Sequence, residues 1–175
     1  MRTGRDARGF TLIELLIVVA IIGILASISM GIYLHARLQG NEASAIATLG
    51  AVNQAQFAFA QVCGRQHYAA TLASLVVPLP ATGAAFLSPD LAGDPLEKSG
   101  YQFVLGGTPL SLEDQSCTGE PLLQGYQLTA DPLRPGISGR RFFATNTDRA
   151  IFVDDASFAG HMSETGPPPH GGEVK

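Results

Sequence analysis

Apolar residues follow three patterns along this chain. From Phe10 to Leu34 they run almost without a break, and Glu14 is the only charge among them. From Ala45 to Cys63 they recur at spacings of three, four or seven, as Ala45, Leu49, Val52, Phe59 and Cys63, with Gln56 interrupting the stripe. Beyond residue 100 they collect in short runs, Tyr101 to Leu105, Tyr126 to Thr129, Arg141 to Thr145 and Ala150 to Val153. The first pattern predicts a membrane-spanning helix, the second an amphipathic helix and the third β-strands.

The first two patterns join into one helix from Phe10 to about Cys63, with Gly64 as a C-terminal stop. Residues 10–34 meet the roughly 20 residues a crossing requires. About fifteen Phe, Leu, Ile and Val side chains at roughly −0.4 kcal/mol each outweigh one carboxylate at roughly +3 kcal/mol. Arg2, Arg5 and Arg8 precede the span and outweigh Asp6, which keeps the N-terminus cytoplasmic and exports the rest. A cleaved secretory signal has a shorter apolar region with small residues after it. A plain signal anchor leaves Glu14 unexplained, since a carboxylate at that depth is costly.

The second half of the helix, residues 35–64, offers an apolar stripe without the Lys and Arg of a membrane-surface helix, so it is expected to cover a domain. Thr71 to Val77 predicts a short helix, and the Pro- and Gly-rich stretch from Pro78 to Gly100 an irregular connection. Asn146-Thr147-Asp148-Arg149 is hairpin-turn chemistry between the last two strands. About four strands suit an antiparallel sheet whose apolar face the helix stripe covers. The expected organisation is a basic leader at 1–9, a membrane and assembly helix at 10–34, its amphipathic continuation at 35–64, a globular domain at 65–159 and a flexible tail at 160–175. The fold class is therefore α+β.

Composition removes several functions. Net charge is −4, Trp is absent and the Arg residues are scattered, so no nucleic-acid surface is expected. His35, His67, His161 and His170 are dispersed, and no Ser sits in a nucleophile elbow, so no enzyme, metal or cofactor is expected. Asp148, Asp154 and Asp155 could supply oxygen to calcium, but they read better as solvated acids at turns and strand ends. Cys63 and Cys117 belong to no Cys-x-x-Cys pair; beyond an export segment they read as a disulfide, with two buried thiols as the alternative.

The string from Gly9-Phe10-Thr11-Leu12-Ile13-Glu14 through Leu25-Ala26, continued by His35-Ala36-Arg37 and Asn41-Glu42-Ala43-Ser44-Ala45, resembles the class III signal of type IV pilins and pseudopilins. The resemblance implies cleavage between Gly9 and Phe10 by a prepilin peptidase and N-methylation of Phe10. It gives Glu14 an assembly role beside a neighbour's Phe10 amine. Many members carry Pro where this chain has Gly31, a milder helix breaker. The implied partners are related pilin subunits, met through the N-terminal helix, and an inner-membrane assembly platform, with the bilayer itself as host before assembly. The implied course runs from single-pass inner-membrane protein, with a periplasmic C-terminal domain, to a surface or periplasmic filament. The leading reading is a structural subunit of a type IV pilus-like filament. A type II secretion pseudopilin and a minor subunit with a binding role at the filament tip are the alternatives.

Overall fold

The structure is a computed structural model that describes residues 10–111 and 113–174, with the side chains of residues 28–30 excepted. The leader at 1–9, Gly9 included, lies outside the described residues. The chain divides into two compact units, Met1–Arg37 and Leu38–Lys175. Helix α1, Leu12–Val62, contributes to both.

In the first unit α1 is apolar on every side. Phe10 is 88% exposed, and Leu12, Ile13, Leu16, Val19 and Ile24 are all exposed. A helix without a polar face has no stable setting in water. No single described helix is both long and apolar enough to cross a membrane. Leu12–Ser27 and Gly31–Val62 meet that requirement only when taken together. Leu12–Ser27 alone falls short of about 20 residues, and Gly31–Val62 carries the polar surface of the second unit.

In the second unit α1 buries the expected stripe. Ala45, Leu49, Val52 and Phe59 are fully buried and Cys63 nearly so. Gln56 does not break the stripe, because it is fully buried too. Its amide donates to Ala69 O at 3.0 Å and accepts from Ala69 N at 2.9 Å, replacing the partners a lone strand would lack. Asn53 works the same way one turn earlier. Its Nδ2 donates to Thr145 Oγ1 at 2.9 Å, and Tyr126 OH donates to its Oδ1 at 2.8 Å. The helix stops at Gly64, where a Cβ would lie 2.1 Å from His67 O and 2.9 Å from the Phe59 ring.

A two-stranded ribbon pairs β1, Tyr68–Ala69, with β4, Leu122–Leu123. The short helix α2, Leu72–Leu75, is N-capped by Thr71, whose hydroxyl accepts from Ser74 N at 3.1 Å. The main sheet has six antiparallel strands: β2 (Leu96–Lys98), β3 (Tyr101–Gly106), β5 (Gln127–Pro132), β6 (Phe142–Asn146), β7 (Ile151–Asp154) and β8 (Gly172–Glu173). They lie side by side in that order. The sequence pattern predicts four of them. β2 sits in the stretch expected to be irregular and joins β3 through Ser99 and Gly100, both at positive φ (49° and 76°), as a tight hairpin requires.

Tyr101, Phe103, Leu128, Ala130 and Phe143 point to the helix side, in one core with Leu49, Val52 and Phe59. A second, smaller core holds Ala144, Phe152, Phe158 and Met162. Residues 160–174 are therefore not a detached tail. Met162 is buried, β8 pairs with β7, and His170 stacks on Phe158 at 5.0 Å while its Nδ1 meets Asp154 Oδ2 at 2.6 Å. A sheet with residues such as Ala144 and Phe152 on its other face needs a second cover, and this segment supplies it.

Two carboxylates in this unit have opposite pH consequences. Burial alone would raise the Glu42 carboxyl, but the N–H groups of Arg140 and Arg141 and the Arg141 guanidinium outweigh it and hold it below its ordinary value. The Arg141 Nη2 to Glu42 Oε2 distance is 2.7 Å. A depressed folded pKa gives stability that is present above the unfolded value and lost as pH falls through the folded one. Asp131 is the reverse. Burial raises its carboxyl, against the hydrogen bond from Ser157. Its ionised form is therefore a burden at neutral pH that fades on acidification. Glu42→Gln is expected to cost about 1–3 kcal/mol at pH 7 and to flatten the loss of stability below about pH 4.5. Asp131→Asn is expected to stabilise at pH 7. Denaturation midpoints measured from pH 7 to 3 check both signs.

Candidate processing and assembly segment

The start of α1 is organised by two residues. Thr11 is its N-cap and Glu14 lies three residues on. Thr11 Oγ1 accepts from Glu14 N at 3.3 Å. Glu14 Oε2 in return accepts from Thr11 N at 2.9 Å and from Thr11 Oγ1 at 2.7 Å. This is a capping box, in which side chain and backbone each satisfy the other's free donor at a helix start. It turns the Glu14 carboxylate back along the helix toward Phe10 and Thr11. Both Thr11 donors use one carboxylate oxygen, so the box does not occupy the other.

The box is legible in the sequence as Thr11-Leu12-Ile13-Glu14, yet attention to the charge of Glu14 passes over it. It also bears on the expected cleavage. A cut between Gly9 and Phe10 leaves the Phe10–Thr11 peptide intact, so Thr11 keeps the amide N–H that Glu14 holds. The new amine appears one residue before that bond.

The other predicted residues fall elsewhere. Cys63 and Cys117 are joined as a disulfide, and Cys117 N also donates to Cys63 O at 3.0 Å. Asp148 accepts from Gly166 N at 2.6 Å, and Asp154 is engaged by His170. Among the described residues no group of three or more His, Cys, Asp or Glu is placed to hold a metal ion.

A long N-terminal helix whose apolar residues at the start are exposed, and an antiparallel sheet in the second unit, define an α+β protein. Residues 4–30 match the prokaryotic N-terminal methylation motif, and the chain thus carries the class III signal of type IV pilins and pseudopilins. Neither curated proteins nor solved structures gave a match. The motif supports a type IV pilin-like or pseudopilin protein, a structural class and not an enzyme class. It implies processing by a prepilin peptidase, membrane anchoring, and then assembly with pilin subunits.

Proposed function

We propose that this chain is a structural subunit of a type IV pilus-like filament. The peptidase cuts between Gly9 and Phe10 and methylates the Phe10 amine. Before assembly the subunit sits in the inner membrane, with its N-terminus cytoplasmic and the unit Leu38–Lys175 exported. In the filament, the Glu14 carboxylate answers the Phe10 amine of a neighbouring subunit. The observation that carries this reading is the placement of Glu14. Its carboxylate is held by Thr11 at the helix start, four residues after the expected new N-terminus Phe10, on a helix with no other charge until Arg37. Pairing there neutralises two charges inside an apolar bundle, where either alone would be costly.

Mass spectrometry of the mature protein tests the processing step. The expected N-terminal peptide begins at Phe10 and carries one added methyl group. An intact Met1 in assembled protein, or a cut beyond Leu34, would overturn the proposal.

A further inference from the structure

The exported unit contains a polar cleft of about 480 Å³ that the assembly reading does not use. Its walls come from four separate parts of the chain. Gln66 and Tyr68 follow the end of α1, Gln124 precedes β5, Thr147 lies in the β6–β7 turn, and Glu164 and Thr165 belong to the C-terminal segment.

The cleft is built, not incidental. The β6–β7 turn clamps the C-terminal segment. Asn146 Nδ2 donates to Ser163 O at 3.1 Å and to Gly166 O at 2.7 Å, while Thr147 donates to Glu164 O through both its N–H and its hydroxyl. Thr108 Oγ1 donates to Glu164 Oε1 at 2.6 Å and fixes the carboxylate. That carboxylate lies against Gly125, where a Cβ would come within 2.3 Å of Oε2. Tyr68, which also lines the cleft, packs against the fully buried Tyr126, ring centroids 4.9 Å apart. Gln66 enters the wall at φ 70°, directly after Arg65 at φ 53°. Two consecutive residues in the left-handed region, neither of them Gly, Asn or Asp, are uncommon, and such backbone tends to mark functional sites.

The chemistry of the lining narrows the ligand. Two carboxamides offer both donors and acceptors, the Thr165 hydroxyl does the same, the Thr147 hydroxyl, its hydrogen given to Glu164 O, can only accept, and one carboxylate accepts. Tyr68 adds an amphipathic aromatic side chain. Among the described residues no Lys, Arg or His lines the cleft, and Glu164 repels an anion, which disfavours a phosphate group there. A single carboxylate among amides and hydroxyls suits a neutral ligand rich in hydroxyl groups, with an apolar C–H face for the ring. The volume lies within the range of small-molecule sites, about 300–1,000 Å³. We propose that this cleft binds one or two pyranose units of a neutral saccharide. The proposal goes beyond the assembly reading and holds for any filament that displays this unit.

Saturation-transfer difference NMR on the full chain in lipid nanodiscs tests it. The probes are maltose, lactose, mannobiose and diacetylchitobiose at about 20 mM each, with spermidine and inorganic phosphate as charged controls. At least one disaccharide is expected to bind with a Kd on the order of 1 mM. Tyr68→Ala and Gln124→Ala should each weaken it about fivefold or more, and Gln102→Ala, outside the cleft, should leave it unchanged. Gln124 is exposed, so its variant stays informative if Tyr68→Ala does not fold. Absence of transfer to all four disaccharides would overturn the proposal, as would saccharide binding indifferent to Gln124→Ala. Binding of spermidine alone, lost in Glu164→Gln, would instead make the cleft a cation site and equally overturn it.

Discussion

Replacing Glu14 with Gln is expected to leave the subunit folded in the membrane while reducing filament yield by about tenfold or more. Loss of one partner from a desolvated ion pair typically costs several kcal/mol, and each 1.4 kcal/mol is a factor of ten in an equilibrium constant. The capping box makes Gln the informative replacement. Gln at this position still accepts from Thr11 N and preserves the helix start, so only the charge is lost. Glu14→Val removes charge and cap together. Thr11→Ala removes the cap alone, at about 0.5–2 kcal/mol, and keeps the charge. If the charge governs assembly, filament yield follows the order wild type, then Thr11→Ala, then Glu14→Gln and Glu14→Val together at the bottom. If the cap governs it, Glu14→Gln assembles nearly normally and Thr11→Ala falls with Glu14→Val. If Glu14 only reaches toward the headgroups, Glu14→Val assembles best, because Val inserts more easily than a carboxylate. Sheared-filament yield compared with membrane level for the four proteins separates these cases.

None of these variants should disturb the unit Leu38–Lys175. Its core is built from residues beyond Leu38, including Leu49, Val52, Phe59, Phe103 and Phe143. The same near-UV signal from buried Tyr101 and Tyr126 is therefore expected in all four.

Periodicity predicts the parts of this fold that are long enough to show it. The spacing of Leu49, Val52 and Phe59 marks the buried face of α1, and alternation marks β3, where Tyr101, Phe103 and Leu105 are buried and Val104 is exposed. Two-residue strands such as β1, β4 and β8 have no period to read. The second core escapes a sequence reading for another reason. Phe158 lies at the end of the expected globular domain outside any strand pattern, and Met162 stands alone among Gly, Ser and Pro in the stretch 160–175 that reads as a tail. Only the exposed far face of β6 and β7 gives them something to cover. Gln56 shows a related limit: a buried amide is unreadable until the strand it serves, at Ala69, is in place. The saccharide cleft is assembled from positions 66 to 165, and no local pattern joins them.

Removing the disulfide is expected to produce the largest loss of stability in the unit Leu38–Lys175. Cys63 ends the helical stripe and is 3% exposed, while Cys117 lies in the connection between β3 and β4. The bond closes a separation of 54 residues. In the chain-entropy model a loop of that length restricts the unfolded state by roughly 4 kcal/mol. That is a large fraction of the 5–15 kcal/mol typical of a whole domain. The connection from Gly107 to Pro121 is also held by Gln124 N donating to Thr108 O at 2.9 Å and by Ser74 Oγ donating to Glu120 Oε2 at 3.1 Å. It is anchored by Leu110 N to Leu122 O at 3.0 Å, by Cys117 N to Cys63 O, and by Thr108 to Glu164. Freed from Cys63, it should loosen and carry β4 with it, exposing β1. Cys63→Ala with Cys117→Ala is the appropriate variant, since a single change leaves a reactive thiol and Ser at position 63 would place a hydroxyl in the core. The chain has no Trp, so near-UV circular dichroism of its tyrosines follows the unfolding. The thermal midpoint should fall by about 10–20 °C, and wild-type protein under reducing conditions should fall with it. A midpoint within a degree or two of wild type in the double variant would show that packing alone holds the helix end to the sheet, and that the bond contributes little beyond it.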